Sequence, residues 1–229
     1  MRKPVVDYRK LRLSNLASPQ YRHLLLLLGW LVYFILYFLT ENLIPAEDCY
    51  PVWCKLDDLI PFNEFFVIFY VGWYVLIVIS LGYFALYNVE NFKSLQTYIM
   101  VTQAVAMICY IVFPTRQDLR PEAFPRDNFL TWIMGIIYNA DTNTGVCPSL
   151  HVGYSLGIAS AWLKEKSARW YVKVLVTVFV IMVCLSVAFT KQHSVVDIFA
   201  ALPVCLLAEG VAFWKYYKNR RTRYAVSQG

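Results

Sequence analysis

The chain has 229 residues, 59% of them hydrophobic and 16% charged, with a mean hydropathy of +0.49. Globular domains average about 45–50% apolar and about 25% charged residues, so this composition excludes a water-soluble domain and predicts an integral membrane protein. Its 21 Lys and Arg against 15 Asp and Glu leave a net charge of +6, and the position of that excess decides between a membrane anchor, an anion site and a nucleic-acid patch.

Six charge-poor runs follow in chain order: 24–40, 65–89, 94–115, 142–163, 174–190 and 198–214, the last interrupted only by Glu209. A helix needs about 20 apolar residues to cross a hydrocarbon core of about 30 Å. A barrel strand would instead alternate polar and apolar positions, which these runs do not. The expectation is an all-α, single membrane domain over 1–229, with spans near 24–43, 61–87, 94–113, 148–165, 170–190 and 194–215. The first run is read as a span rather than a cleaved leader, because no small-residue cleavage site follows it. A shorter apolar stretch, 129–138, predicts an interfacial helix inside an external loop at 114–147.

Between the spans the cations are uneven. With 1–23 and 216–229 on one side, that side collects sixteen Lys and Arg and the other only five. The positive-inside rule then places both termini in the cytoplasm of a multi-pass plasma-membrane protein. The basic tail is read as an orientation anchor and not as a nucleic-acid surface. Cys49 and Cys54 share the first external loop, where a disulfide and two free thiols are both open.

Four of the five external cations gather at membrane edges. Arg116 and Arg120 follow the third span, Arg126 comes shortly after, and Lys191 follows the fifth. Two of the three histidines lie on the same side: His151 in Cys147-Pro148-Ser149-Leu150-His151 and His193 four residues before Asp197. On a helix, residues four apart share a face, so Asp197 can accept from one imidazole nitrogen and free the other as a nucleophile. Pro148-Ser149 before an apolar run reads as a helix start, with Ser149 as cap and the first-turn N–H groups as an anion site. Clustered cations argue against a metal as the reason for two histidines and an aspartate. The set suits displacement at phosphorus.

In order and placement these residues resemble the type 2 phosphatidic acid phosphatase superfamily, which has a six-helix core and three motifs. Arg116 to Pro121 resembles the basic motif, Pro148-Ser149-Leu150-His151 the second, and Ser186 through His193 to Asp197 the third. The resemblance implies that His193 attacks phosphorus, Asp197 orients it and His151 protonates the leaving oxygen. It also implies that Arg120, Arg116 and Ser149 hold phosphate, with no metal or organic cofactor. The chain departs from the family at Leu150, where the motif has glycine, at Phe113, where it has lysine, and at Val187, where it has arginine. Lys191 is the candidate to supply that last charge. Such departures look like the branch that includes inositol-phosphoceramide synthases.

The expected function is a metal-independent phosphatase for a lipid phosphate or pyrophosphate, such as phosphatidate or a prenyl pyrophosphate. The alternatives are transfer of a phospho-headgroup to a hydroxyl acceptor through the same phosphohistidine, and an anion transporter. Few polar residues continue along the spans, which weighs against transport.

Overall fold

The structure is a computed structural model that describes residues 3–219. Eight α-helices carry almost all of the regular structure: α1 (Leu28–Leu43), α2 (Lys55–Leu59), α3 (Val67–Tyr87), α4 (Val89–Val112), α5 (Phe129–Ala140), α6 (Leu150–Lys164), α7 (Trp170–Phe189) and α8 (Val195–Ala212). The only strands among the described residues are the two-residue β1 (Tyr50–Pro51) and β2 (Thr115–Arg116), paired in parallel. Val, Ile, Phe and Tyr dominate the helices despite their β-propensity. A helix closes its own backbone hydrogen bonds, which settles the matter where water is excluded.

Five helices, counted with the 3-10 turns that open two of them, are long and apolar enough to cross a membrane: Arg22–Leu43, Glu64–Tyr87, Val89–Val112, Trp170–Phe189 and Val195–Ala212. The third begins five residues earlier than the charge-free run suggests. Glu90 and Lys93 pair at 2.7 Å within its first turns and continue the helix rather than delay it. The sixth expected crossing, α6, has only 15 residues, roughly 22 Å at 1.5 Å per residue.

That short helix is the centre of the bundle. It packs on α4, α7 and α8, and its buried positions include Gly153, Gly157, Ala159 and Ala161. A Cβ on Gly157 would sit 2.4 Å from Tyr98 Cδ1, so the close α4–α6 approach needs the missing side chain. Gly157→Ala is therefore expected to destabilise the bundle by about 1–3 kcal/mol through overpacking. A thermal midpoint in detergent checks this, and an unchanged midpoint would remove the steric argument.

On the basic side, buried Glu165 accepts from Asn88 Nδ2 at 2.6 Å and Asn91 Nδ2 at 2.9 Å, joining the α3–α4 and α6–α7 turns. Glu209 pairs with Lys164 at 2.6 Å, which explains the one charge inside the last apolar run as a helix-end ion pair. Helix α1 packs along α4 and has no fully buried residue. Its outward side chains, among them Leu31, Val32, Ile35 and Phe38, are more than half exposed, as suits a lipid-facing surface. Opposite α3 it leaves space, and the site lies there.

Candidate active site

His193 does not lie on a helix, contrary to the shared-face expectation. Ser194 is the N-cap of α8, which puts His193 one residue outside, with its N–H bonded to Val187 O at 3.0 Å. Ser194-x-x-Asp197 is a capping box: Ser194 Oγ accepts from Val196 N–H at 3.1 Å, and Asp197 Oδ2 accepts from Ser194 N–H at 3.0 Å. The same Oδ2 meets His193 Nδ1 at 3.2 Å. The imidazole thus borrows a carboxylate already fixed by helix capping. Asp197 is fully buried and accepts at Nδ1, so the proton belongs there and Nε2 keeps its lone pair.

His151 stands in the first turn of α6. Its ring stacks on Tyr70 with centroids 4.4 Å apart, lies 4.1 Å from the Trp73 ring, and is 5.7 Å from the His193 ring. Its Nε2 is buried without a hydrogen-bond partner. Ser149 is the N-cap of α6, yet its hydroxyl caps nothing and is also buried without a partner. A main-chain bond from Ser149 N–H to Asp197 O, 3.2 Å, ties this helix start to that of α8. Two histidines, a serine and an orienting carboxylate therefore meet where two helices begin.

The two histidines open onto a cavity of about 570 Å³ between α1 and α3, whose lining includes neither Ser149 nor Asp197. Both histidines line it. So do Trp30, Tyr33 and Tyr37 of α1, and Tyr70, Trp73 and Tyr74 of α3. Farther from the histidines the lining turns aliphatic, with Ile77, Val78 and Leu81. The sequence did not point to this lining, because α1 and α3 are apolar on every face and no periodicity marks the cavity side.

The predicted cations are placed otherwise than expected. Arg116 donates to Asp118 at 3.0 Å and to Ala46 O at 2.7 Å, and it does not line the cavity. Lys191 turns away: its Nζ donates to the carbonyls of Asp57, at 2.8 Å, and Ile60. It does not line the cavity and so does not supply there the charge expected of it. Burial pushes its ammonium below the usual lysine range, and the charges of Asp57 and Asp58 oppose that. Its own backbone sits at φ 54°, a left-handed turn that ends α7. Arg126 pairs with Glu64 at 2.7 Å. Ser186 donates back to Val183 O within α7 and takes no part in the site.

Arg120 is the one predicted cation held against the site. Its guanidinium donates to the carbonyls of Tyr138, Asp141 and Thr142 and, at 2.7 Å, to Gln192 Oε1, one residue before His193. Its Nε is buried with no acceptor. The side chain mainly clasps the α5–α6 connection to the His193 turn, with one donor to spare. The cavity lining contains no Lys or Arg among the described residues, and its one formal charge is Asp141.

Asp57 escaped the sequence reading. It is 2% exposed, accepts from Ser194 Oγ at 2.6 Å and Val195 N–H at 2.8 Å, and so caps α8 from the short helix α2, 137 residues before Ser194. A D-D-L run after a cysteine loop gives no sequence signal for such a contact.

All six cysteines are free, so the first loop carries two thiols and no disulfide. Cys147 lies against the Asp197 carboxylate, and its thiol is pushed up to about 12, first by burial and then by that charge. At pH 8 it stays protonated, and a small maleimide is expected to label it at least about a hundredfold more slowly than free cysteine. Labelling at the free rate, followed by mass spectrometry at Cys147, would contradict the burial. The chain matches no family model, no curated protein and no solved structure.

Proposed function

We propose that the protein is a multi-pass membrane enzyme that cleaves a lipid phosphate or pyrophosphate ester through a phosphohistidine at His193, without a metal. One observation carries the reading. An imidazole oriented by a buried carboxylate faces a second imidazole across 5.7 Å, at the polar end of an aromatic cavity whose far end is aliphatic. A headgroup beside the histidines would leave its tails along Ile77, Val78 and Leu81.

In this reading the groups act in turn. The Nε2 lone pair of His193 forms a bond to phosphorus while the bond to the leaving oxygen breaks. His151 gives its proton to that oxygen, then takes one from the incoming nucleophile as the N–P bond breaks. The first-turn N–H groups of α6 are the donors proposed for the phosphoryl oxygens; the Ser149 hydroxyl and Arg120 Nε are buried without partners but do not line the cavity. With the basic segments in the cytoplasm, the site faces the external leaflet of the plasma membrane. Helix α6 is then the sixth, central crossing, sheltered from lipid by its neighbours and so short without cost, and α5 lies at the interface.

Water as nucleophile makes the protein a phosphatase. A hydroxylated lipid as nucleophile makes it a phosphotransferase of the inositol-phosphoceramide synthase kind, and one observation favours that second reading. A phosphate monoester is close to dianionic at neutral pH and calls for fixed cations, whereas the cavity lining offers none and includes a carboxylate. A diester carries a single negative charge and fits such a wall better.

Purified protein in nanodiscs, given phosphatidate, a prenyl pyrophosphate or a diester phospholipid, with and without a hydroxylated lipid acceptor, tests the proposal. The expected result is product that depends on His193. Product formed at the same rate by His193→Ala would sink it.

A further inference from the structure

Gln192, one residue before His193, is held both by its main chain and by its side chain. Its N–H and that of His193 both donate to Val187 O, at 3.0 Å, which fixes the turn between α7 and α8. The residue is 3% exposed, and its Oε1 accepts from Arg120 at 2.7 Å. A guanidinium only donates, so the atom facing Arg120 is the amide oxygen, and the two hydrogens of Nε2 lie on the other branch. That Nε2 is buried and meets no acceptor. Gln192 lines the cavity together with both histidines, whereas Arg120 does not. The tie to Arg120 therefore orients a neutral donor at the cavity wall and leaves its hydrogens unused. A buried donor without a partner is costly, and an oxygen of a bound ligand would remove that cost.

We propose that Gln192 is a further catalytic residue, whose side-chain amide donates to one non-bridging oxygen of the phosphoryl group under attack by His193. This rests on the phosphohistidine reading. As the imidazole lone pair approaches phosphorus, negative charge grows on the non-bridging oxygens. A donor already oriented strengthens its bond at that moment without having to move. The amide gives up no proton: it keeps both hydrogens while the bond to His193 forms and the bond to the leaving oxygen breaks. A neutral donor suits the single negative charge of a diester, in a cavity whose lining has no Lys or Arg among the described residues.

Phosphorothioate diesters with a hexadecyl chain and a p-nitrophenyl leaving group test this. Their two stereoisomers at phosphorus put sulfur in place of one non-bridging oxygen or the other, and sulfur is the poorer acceptor. Coloured nitrophenolate reports the attack by the full chain in detergent. The unaltered protein is expected to release it at least about tenfold faster from one stereoisomer than from the other. Gln192→Met, which has no donor, is expected to bring that ratio below about threefold and to slow release from the corresponding oxygen diester about a hundredfold. A residue that only braced the turn would slow both stereoisomers alike and leave the ratio. Gln192→Glu keeps an acceptor for Arg120 and so serves even where the methionine variant fails to fold. Its added charge acts on both stereoisomers alike, and it too is expected to erase the ratio. No preference in the unaltered chain, or a preference that survives both substitutions, overturns the proposal. Release that needs His193 but keeps its preference in both Gln192 variants leaves the nucleophile standing and removes the amide donor. Release indifferent to His193→Ala, with a preference that falls with Gln192, does the reverse. No release from either stereoisomer removes both.

Discussion

Replacing His193 by alanine is expected to lower turnover by at least about a thousandfold while the protein stays folded. The side chain makes one hydrogen bond, to Asp197, and the Asp197 oxygen that receives it keeps its bond from Ser194 N–H. The helix start therefore survives the loss, and the thermal midpoint should move little. Asp197→Asn is the informative companion. It presents an amide where the imidazole needs an acceptor, which favours the wrong tautomer and is expected to cost about a hundredfold to ten thousandfold in kcat. Because Asp197 also closes the capping box, this variant should lose about 1 kcal/mol of stability as well. Rates measured beside midpoints separate the chemical loss from the structural one. A His193→Ala protein that is folded and fully active would end the nucleophile assignment.

The second large effect is expected at Asp57, which touches no substrate. Its carboxylate receives Ser194 Oγ and Val195 N–H, and its carbonyl receives Lys191 Nζ, so both flanks of His193 hang on this one residue. A carboxylate at the N-terminus of α8 also meets the positive end of the helix dipole. Asp57→Ala leaves buried donors without acceptors, a cost of about 2–4 kcal/mol from the lost cap and the stranded groups. Displacement of the His193 turn should then lower kcat about tenfold to a hundredfold. As a positioning residue Asp57 predicts a split: kcat falls, KM holds, and Asp57→Asn, which retains one acceptor, recovers part of the rate. A fall in stability with kcat intact would reduce Asp57 to a structural brace.

Much of the scaffold was readable in the charges. Runs without Lys, Arg, Asp or Glu located five long apolar helices, and the largest shift, at the start of the third, comes where the charged pair Glu90 and Lys93 continues the helix into its first turns. Helix α6 was readable as apolar but not as short, because its length depends on being enclosed by α4, α7 and α8 rather than by lipid. The two histidines and Asp197 were visible as a set, yet the reason for their meeting was misread. A capping box, not a shared helical face, brings His193 to Asp197.

The cations were the least legible part. Whether an arginine is free for a ligand depends on carbonyls delivered by distant loops: Ala46 for Arg116, Asp57 and Ile60 for Lys191, and Tyr138, Asp141 and Thr142 for Arg120. Nothing in the local sequence carries that information. The few charges that first suggested a phosphate cradle prove to be mostly ties to loop carbonyls and carboxylates, and Asp141 is the charge that reaches the cavity.

The central claim is the covalent bond at His193, and trapping it is the most direct test. Protein reacting with a phospholipid substrate is quenched in alkali, which preserves phosphohistidine, then digested and mapped by mass spectrometry. The account predicts a phosphoryl or phospho-headgroup adduct on His193 that acid removes and that His193→Ala lacks. Continued turnover with no adduct at His193, or with the adduct on another side chain, would contradict it.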